Sequence, residues 1–334
     1  MRFLGEDGRP VVLTIADLSR RSSRFAHALR SRGIGPGAVV ALLGGRVPEI
    51  YVAMVGGFKA RCVVAPLFSA FGPEPLRQRL AAGRAVALVT TPSFYRQKIQ
   101  PIRASLPDLG HVFVFGEGAA DLASAGIDDL DALMSAMPED YVIESTDPDE
   151  PALVHFTSGT TGVPKGAVHV HAAVVAHRAT GRQILDLRPG DRYWCTADPG
   201  WVTGTCYGLI APLTCGATCV IDTCEFDATR WYGVLEQEQV SVWYTAPTAL
   251  RMLMKAGPLA RAGRDLSSIR LAASVGEPLN AEVVHWGRRE LGLDIHDTWW
   301  QTETGAIMIA NDPGLEIRAG SMGRPVPGID VALI

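Results

Sequence analysis

Lysine is scarce in this chain, and neither sign of charge is in clear excess. Only four of the 31 basic residues are lysines, and the formal net charge is −4. A nucleic-acid-binding domain needs a surplus of basic residues, usually clustered on one face. The composition therefore argues against a nucleic-acid partner.

Long apolar runs are also missing. The first residues contain no apolar segment of the length that a signal peptide requires. The longest uncharged stretch, residues 199–221, is interrupted by glycines, prolines and threonines, whereas a membrane-spanning helix needs about 20 mostly apolar residues. We therefore expect a buried helix followed by a buried strand there, no membrane contact and a cytoplasmic location.

Cysteines are few, and their spacing does not favour a metal site. Four of the six cysteines fall within residues 206–224, separated by eight, three and four residues. Structural zinc sites usually take their ligands from tight Cys-x-x-Cys pairs. Zinc stays an open alternative, and we expect inert, buried thiols in a reducing compartment.

Apolar residues and turn residues are abundant, and they alternate in a regular way. Apolar residues make up 47 % of the chain, with 35 glycines and 22 prolines. Thr14 and Asp17 resemble a capping box that begins the first helix. Short apolar runs follow at 39–43, 62–66, 85–89 and 111–115, with helical patterns between them at 48–60, 73–82 and 93–105. Such alternation indicates βαβ units, so we predict an α/β fold of two stacked subdomains with mostly parallel sheets.

The domain boundaries are predicted from a change in composition. The acidic, proline-bearing segment 140–151 is the best linker candidate, and strand and helix patterns resume after it. We predict a first α/β subdomain at 1–145, a second at 146–315, and the start of a small β-rich subdomain at 316–334.

The strongest local signal is the loop at 157–166, Thr-Ser-Gly-Thr-Thr-Gly-Val-Pro-Lys-Gly. It follows a predicted strand at 152–156 and precedes a predicted helix at 169–185. Glycines allow the backbone to approach a ligand closely, hydroxyls donate hydrogen bonds, and Lys165 adds a cation. This combination suits polyphosphate oxygens, although the loop does not fit the nucleotide-kinase P-loop pattern.

Three further segments carry candidate site residues. Segment 297–305, Asp-Thr-Trp-Trp-Gln-Thr-Glu-Thr-Gly, offers Glu303 as a hard ligand for Mg²⁺ and Thr302 as a hydroxyl donor. Segment 274–279, Ser-Val-Gly-Glu-Pro-Leu, follows an apolar strand, where ligands lie in open α/β sheets. Segment 195–204, Cys-Thr-Ala-Asp-Pro-Gly-Trp-Val-Thr-Gly, is another strand that runs into a glycine-rich turn. Taken alone, the first and third of these are also compatible with ordinary core packing.

All four segments occur, in this order, in the adenylate-forming superfamily, and the loop at 157–166 resembles its hallmark signature. The other three resemble acetyl-CoA synthetases more closely. The resemblance covers nearly the whole chain, is strongest from Pro151 onward, and implies an AMP-forming ligase of enzyme class 6 with ATP, Mg²⁺ and coenzyme A. In the first step a carboxylate attacks the α-phosphorus of ATP, which gives acyl-AMP and pyrophosphate. In the second, the CoA thiolate displaces AMP.

The resemblance also assigns roles to residues of this chain. The implied ATP-binding residues are Thr157, Ser158, Gly159, Thr160, Thr161, Gly162, Lys165, Gly276, Glu277, Pro278, Asp297, Thr298, Trp299 and Thr302. Glu303 is the implied metal ligand, and the implied catalytic residues are Lys165, Thr302 and Glu303. The implied acyl pocket consists of Val202, Thr203, Val275 and Trp300, and Trp300 closes it to the size of acetate or propionate.

The chain departs from the family at several points. In the family the ribose-binding Asp, the hinge and a C-terminal domain with the adenylation Lys come after the position that corresponds to Ile334, and an early stretch precedes Met1. Near 68–71 the family's glycines, which contact the CoA nucleotide, are replaced, so CoA contacts do not transfer. We expect the large N-terminal domain of an acetate- or propionate-activating ligase, poorly active alone, with small-molecule substrates; its oligomeric state stays open. The alternatives are an acyl-CoA synthetase for a larger acid and a non-catalytic nucleotide-binding homologue.

Overall fold

The structure, a computed structural model, describes residues 1–124, 126–158 and 164–332. Its strands, numbered along the chain, are β1 Arg2–Leu4, β2 Pro10–Val12, β3 Val39–Leu43, β4 Val63–Pro66, β5 Ala87–Thr90, β6 His111–Val114, β7 Ile127–Asp129, β8 Pro151–Ser158, β9 Pro164–Val170, β10 Arg192–Cys195, β11 Thr218–Asp222, β12 Val242–Thr245, β13 Leu271–Val275, β14 Ile295–Trp299, β15 Ile309–Ala310 and β16 Arg324–Pro325.

The α-helices are mostly short. They are α1 Ile15–Ser31, α2 Pro48–Lys59, α3 Pro73–Ala82, α4 Pro92–Phe94, α5 Leu130–Ser135, α6 Ala173–Gln183, α7 Val202–Thr205, α8 Ala211–Cys215, α9 Ala228–Gln237, α10 Pro247–Ala256, α11 Pro258–Arg261 and α12 Ala281–Trp286. Wider π-helical turns lie at Tyr95–Ile99, Cys206–Ile210 and Gly287–Leu291, and 3₁₀ helices at Gln100–Ser105 and Ala120–Leu122.

The described strands form two mostly parallel sheets, and the chain divides into two compact units, one around each sheet. The seven-strand unit comprises Leu13–Ala172 and Asp198–Trp201, and the nine-strand unit comprises Met1–Val12, Ala173–Ala197 and Val202–Ile334. The α/β class with mostly parallel sheets is confirmed. The division differs from the predicted boundary at 145/146, because β8 pairs with β4 and thereby keeps residues 151–170 in the seven-strand unit.

The seven-strand unit has the sheet order β7-β6-β5-β3-β4-β8-β9. Helix α1 begins with the predicted capping box: the Thr14 hydroxyl accepts from the Asp17 amide at 3.0 Å, and the Thr14 amide donates to the Asp17 carboxylate at 3.1 Å. The residues of β3, β5 and β6 are almost all buried. Continuous apolar strands of this kind are typical of parallel sheets with both faces covered.

The loop at 157–166 does not run from a strand into a helix. Residues 164–170 form β9, which pairs antiparallel with β8, with Thr157 opposite Lys165 and Phe156 opposite Gly166. The predicted helix at 169–185 begins only at Ala173. Pairing with β8 satisfies the backbone of this segment, and this contact overrides the local helical pattern.

The nine-strand unit has the order β16-β15-β14-β13-β12-β10-β11-β1-β2. The six central strands, from β14 to β1 in this order, pair with one another in parallel. Strands β2, β15 and β16 extend the two edges of the sheet and pair antiparallel. Residues 316–332, predicted to start a separate β-rich subdomain, include β16, which joins the edge of this sheet through β15. The core on one face is rich in tryptophan, with Trp194 and Trp243 stacked at 6.5 Å and Trp231 edge-on to both.

The Asp-Pro-Gly-Trp turn, Asp198–Trp201, belongs to the seven-strand unit, although the residues on either side of it belong to the other unit. The Ser69 hydroxyl donates to the Asp198 carboxylate at 2.6 Å, and the Trp201 ring packs against Phe68 at 4.9 Å. A Cβ atom on Gly200 would lie 2.3 Å from the backbone of Leu67. Glycine is therefore required here for close backbone contact.

No helix among the described residues is long and apolar enough to cross a membrane. The uncharged stretch at 199–221 instead forms α7, a π-helical turn, α8 and most of β11. This arrangement of buried helical turns followed by a buried strand agrees with the sequence prediction.

Candidate functional site

The predicted adenine-binding segments meet at the carboxyl ends of two neighbouring strands of the nine-strand unit. Strands β13 and β14 are parallel, with Ser274 beside Asp297 and Val275 beside Thr298. Directly after β13 the chain turns at Gly276, whose φ of +90° lies in the region that favours glycine. Ligands of open α/β sheets bind outside the carboxyl ends of the strands, so the fold brings segments 274–279 and 297–305 to a suitable edge.

Asp297 links the two segments. Its carboxylate accepts a backbone hydrogen bond from Leu279, which follows the Gly-Glu-Pro turn, and another from Thr298. The side chain is only 7 % exposed. Burial outweighs the two hydrogen bonds and raises the pKa of Asp297 to about 6. The carboxyl is therefore a group that can change its charge near neutral pH.

The Glu277 carboxylate is already bound by two side chains of the protein. It accepts hydrogen bonds from the Thr248 hydroxyl at 2.7 Å and from the Arg251 guanidinium at 2.6 Å. Both partners belong to α10. The charge of Glu277 is thereby neutralised within the protein, so this residue offers a ligand its backbone rather than a free carboxylate.

Thr302 and Glu303 occupy the middle of a tight turn. The amides of Thr304 and Gly305 both donate to the Gln301 carbonyl at 3.1 Å, and the Thr304 hydroxyl accepts from the Gln301 amide at 3.0 Å. Gly305 closes the turn with a φ of +75°. The turn leaves Glu303 exposed and Thr302 half-buried. Both side chains are free to take a ligand, since no described residue forms a hydrogen bond with either of them.

The two consecutive tryptophans have different environments. Trp299, the last residue of β14, is 38 % exposed, whereas Trp300 is only 8 % exposed. The Trp300 indole nitrogen donates to the hydroxyl of Tyr244 on β12 at 3.3 Å. Trp299 therefore has part of its ring exposed to a ligand, whereas Trp300 is buried and hydrogen-bonded to a neighbouring strand.

The remaining predicted acyl-pocket residues lie on β13 and α7, in the same unit as Trp300. Val275 pairs with Thr298, two residues before Trp300. Val202 and Thr203 are in α7, and the π-helical turn that follows α7 carries Tyr207, whose ring meets the Trp300 ring at 5.1 Å. Val275 and Thr203 are buried. The four predicted acyl-pocket residues therefore share one unit.

The predicted phosphate-binding residues belong to the other unit. Thr157 and Ser158 end β8, and Lys165 lies exposed near the start of β9. The predicted residues Gly159, Thr160, Thr161 and Gly162 lie outside the described residues. An exposed lysine at the end of a hairpin can reach a polyphosphate as a point charge.

The donor chemistry fits a magnesium ion held together with a nucleotide. Within the described ranges no group of three or more His, Cys, Asp or Glu side chains could hold a metal alone. Mg²⁺ typically takes one or two carboxylates and completes its shell with substrate phosphates and water. Glu303, exposed on its turn, could supply one such carboxylate. The six cysteines, all within the described residues, form no disulfide, and five of them are buried.

Several residues that shape this region carried no signal in the sequence. Tyr207 accepts a hydrogen bond from the Ile307 amide at 2.8 Å, and the His177 ring is 2.9 Å from the Gly305 carbonyl oxygen. Tyr244 binds both Trp300 and Thr298. These residues lie in apolar runs that read as ordinary core, and only their hydroxyl or imidazole groups distinguish them.

Comparison with known proteins assigns the chain to a family. The model of the AMP-binding enzyme family matches residues 4–334. The chain belongs to the AMP-binding enzyme family. Among curated members, it is 44 % identical to the acetyl-coenzyme A synthetase of Bacillus subtilis over 322 residues, which are 96 % of this chain and 55 % of that protein. It is 36 % identical to the acetyl-coenzyme A synthetase of Methanothrix thermoacetophila over 98 % of this chain and 52 % of that one.

Solved structures of AMP-binding enzymes agree with this assignment. A Brucella canis acyl-CoA synthetase superposes with a TM-score of 0.89 at 33 % identity, over 98 % of this chain and 59 % of that one. The anthranilate CoA ligase AuaEII in complex with anthranoyl-AMP gives 0.87 at 29 % identity, over 98 % and 61 %. The chain thus spans about half the length of the curated relatives that it matches.

Proposed function

We propose that the protein acts in AMP-forming activation of acetate or propionate, with ATP, Mg²⁺ and coenzyme A as partners, and that a cytoplasmic location goes with this role. The observation that carries the proposal is the placement of the Thr302–Glu303 turn three residues after the carboxyl end of β14, which pairs with the strand β13 that leads into the Gly-Glu-Pro turn. The similarity to acetyl-coenzyme A synthetases at 44 % identity supports the acetate assignment.

The proposed chemistry is mainly positioning and charge neutralisation, as is usual for reactions at phosphate. Trp299 and the Gly276–Pro278 backbone would hold the adenine, and Trp300 would limit the acid's length. The Thr302 hydroxyl would donate to an α-phosphoryl oxygen, and Lys165 would neutralise the outer phosphates. A magnesium ion, when bound by Glu303, supplies Lewis-acid stabilisation of the negative charge.

The first test uses the polypeptide of residues 1–334. We expect this polypeptide to bind Mg-ATP and AMP. Calorimetry measures the binding, and acetate-dependent exchange of pyrophosphate with ATP measures adenylate formation. Lack of nucleotide binding would contradict the proposal, and exchange would contradict the alternative of nucleotide binding without catalysis.

A second candidate is a ligase for a larger acid. It is favoured by the structural similarity to an anthranilate CoA ligase, since anthranilate is an aromatic acid. The burial of Trp300 speaks against it, since a buried indole leaves little room for a longer acid.

The third candidate is a nucleotide-binding protein without catalysis. It predicts that the protein binds AMP and that the affinity for AMP is the same with and without a carboxylic acid.

A further inference from the structure

Two buried tyrosines contact Trp300, the wall residue of the proposed acyl site. The Trp300 ring meets the Tyr207 ring edge-on at 5.1 Å, and Tyr207 meets Tyr244 edge-on at 5.9 Å. Both tyrosines are completely buried, whereas Trp300 keeps 8 % of its surface exposed. Trp300 is therefore almost buried, and the two tyrosines that contact it lie out of reach of solvent.

Hydrogen bonds tie this cluster to the sheet in a fixed direction. The Thr298 hydroxyl donates its proton to the Ser274 carbonyl at 2.8 Å. It must therefore accept at 2.7 Å from the Tyr244 hydroxyl, which in turn accepts from the Trp300 indole nitrogen at 3.3 Å. Each hydroxyl has one proton, so Trp300, Tyr244 and Thr298 form one chain that ends on the backbone of β13.

A parallel chain fixes the segment that follows Trp300. The Ile307 amide donates to the Tyr207 hydroxyl at 2.8 Å. The Thr180 hydroxyl gives its proton to the Ala176 carbonyl at 2.7 Å, so it accepts from Tyr207, also at 2.7 Å. Trp300 is thus bonded to one tyrosine and packed against the other, and each tyrosine is anchored to backbone.

We propose that Tyr244 is a specificity-positioning residue, which holds the Trp300 indole in a single orientation and thereby sets the length of the carboxylic acid that the site accepts. The proposal rests on the proposed function, because Trp300 matters for acid length only if an acyl group lies against it. Tyr244 itself does not need to touch the acid. A satisfied chain of buried hydrogen bonds favours one arrangement over its alternatives, and a freely rotating indole would exclude long acids poorly.

The test is Tyr244→Phe, which keeps the ring and removes the hydroxyl. Calorimetry of the 334-residue chain compares AMP esters with two-carbon and six-carbon alkyl groups, which mimic acyl adenylates. The measured quantity is the ratio of the two dissociation constants, so that a general loss of AMP affinity cancels. We expect Tyr244→Phe to shift this ratio about tenfold towards the six-carbon ester. Methylene discrimination in apolar pockets is commonly of that order.

Tyr193→Phe is the matched control, since Tyr193 is also completely buried and lies on the adjacent strand β10. It should leave the ratio unchanged, because it also removes a buried tyrosine hydroxyl but one that forms no hydrogen bond with Trp300. In a Trp300→Leu background, Tyr244→Phe should have no effect on the ratio, because Tyr244 acts through Trp300. Tyr207→Leu, which removes the second contact of the indole, is the alternative variant if Tyr244→Phe does not fold, and it should shift the ratio in the same direction.

The outcomes separate this inference from the function on which it rests. If Trp300→Leu shifts the ratio but a folded Tyr244→Phe variant does not, the positioning role of Tyr244 is refuted and the acyl site stands. A shift of equal size in Tyr193→Phe, or an undiminished Tyr244→Phe effect without Trp300, also refutes it. If the parent chain binds neither ester, or Trp300→Leu leaves the ratio unchanged, the proposed acyl site is refuted and the positioning role with it.

Discussion

Replacement of Trp300 by glycine tests whether the residue is an acyl-site wall or only part of the core. A tryptophan buries about 150–250 Å², and Trp300 is 8 % exposed. Deletion of such a side chain typically costs about 3–5 kcal/mol. We therefore expect a markedly lower melting temperature, whichever role the residue has.

Ligand selectivity separates the two roles. In the parent chain a six-carbon alkyl ester of AMP should bind more weakly than a two-carbon ester, because the indole blocks its last four methylenes. With the wall removed, each methylene can gain about 0.8 kcal/mol from burial. The four together give about 3 kcal/mol, or roughly two orders of magnitude in Kd in favour of the longer ester.

The assay is calorimetric titration of both esters, which needs no turnover. Trp300→Leu serves as the milder variant if Trp300→Gly is too unstable, and it should show a smaller shift in the same direction. Equal loss of affinity for both esters would refute the reasoning, because it would mean that Trp300 stabilises the fold without facing the acyl group.

Three other predictions concern single side chains. Glu303→Gln should abolish most of the Mg²⁺ dependence of ATP binding in a magnesium titration, while the exposed control Glu316→Gln should not; an unchanged titration would exclude Glu303 as the ligand. Burial raises the pKa of Asp297 to about 6 in the folded state, against an ordinary 3.8. Between about pH 4 and about pH 6 the folded state therefore keeps a proton that the unfolded state has lost, and the free energy of unfolding falls as the pH rises through this range. The free energy of unfolding should fall by about 2–3 kcal/mol over this range. Urea unfolding measures it, and Asp297→Asn should remove the fall; an equal fall in the variant would show that Asp297 is not its cause. Gly200→Ala should destabilise the chain by about 1–3 kcal/mol or more, since its Cβ would lie 2.3 Å from the backbone of Leu67, whereas Gly72→Ala, with open space around its Cβ, should cost little; equal melting temperatures would contradict the close contact.

The parallel strands could be predicted from sequence because each is a short apolar run between turn residues. Strand β3 has the predicted bounds, and β6 begins at the predicted residue. In a parallel sheet the strand is buried on both faces, so the apolar run itself marks it. The three-residue strand β1 has no such pattern; it is defined by pairing with β11, more than 200 residues later in the chain.

Strand β9 shows the opposite failure, in which a clear local pattern leads to the wrong element. Its sequence from Pro164 to Val170 continues into an apolar run without any glycine or proline, so nothing in the sequence separates strand from helix. The separation comes from β8, whose backbone groups need a partner on that side. A strand that is defined by its pairing with another strand, as β9 is by β8, cannot be predicted from the periodicity of its own residues.

The candidate site divides in the same way. Gly276, Thr302 and Glu303 could be picked out from the sequence because they follow apolar strands, at the end of the strand where ligands of open α/β sheets bind. Tyr244 could not, since an aromatic residue in a buried strand is common. The distinguishing fact is chemical: a buried tyrosine hydroxyl needs a hydrogen-bond partner, and a phenylalanine would fill the same space without one. Conservative removal of that single oxygen is therefore the most direct way to ask what the residue does for Trp300.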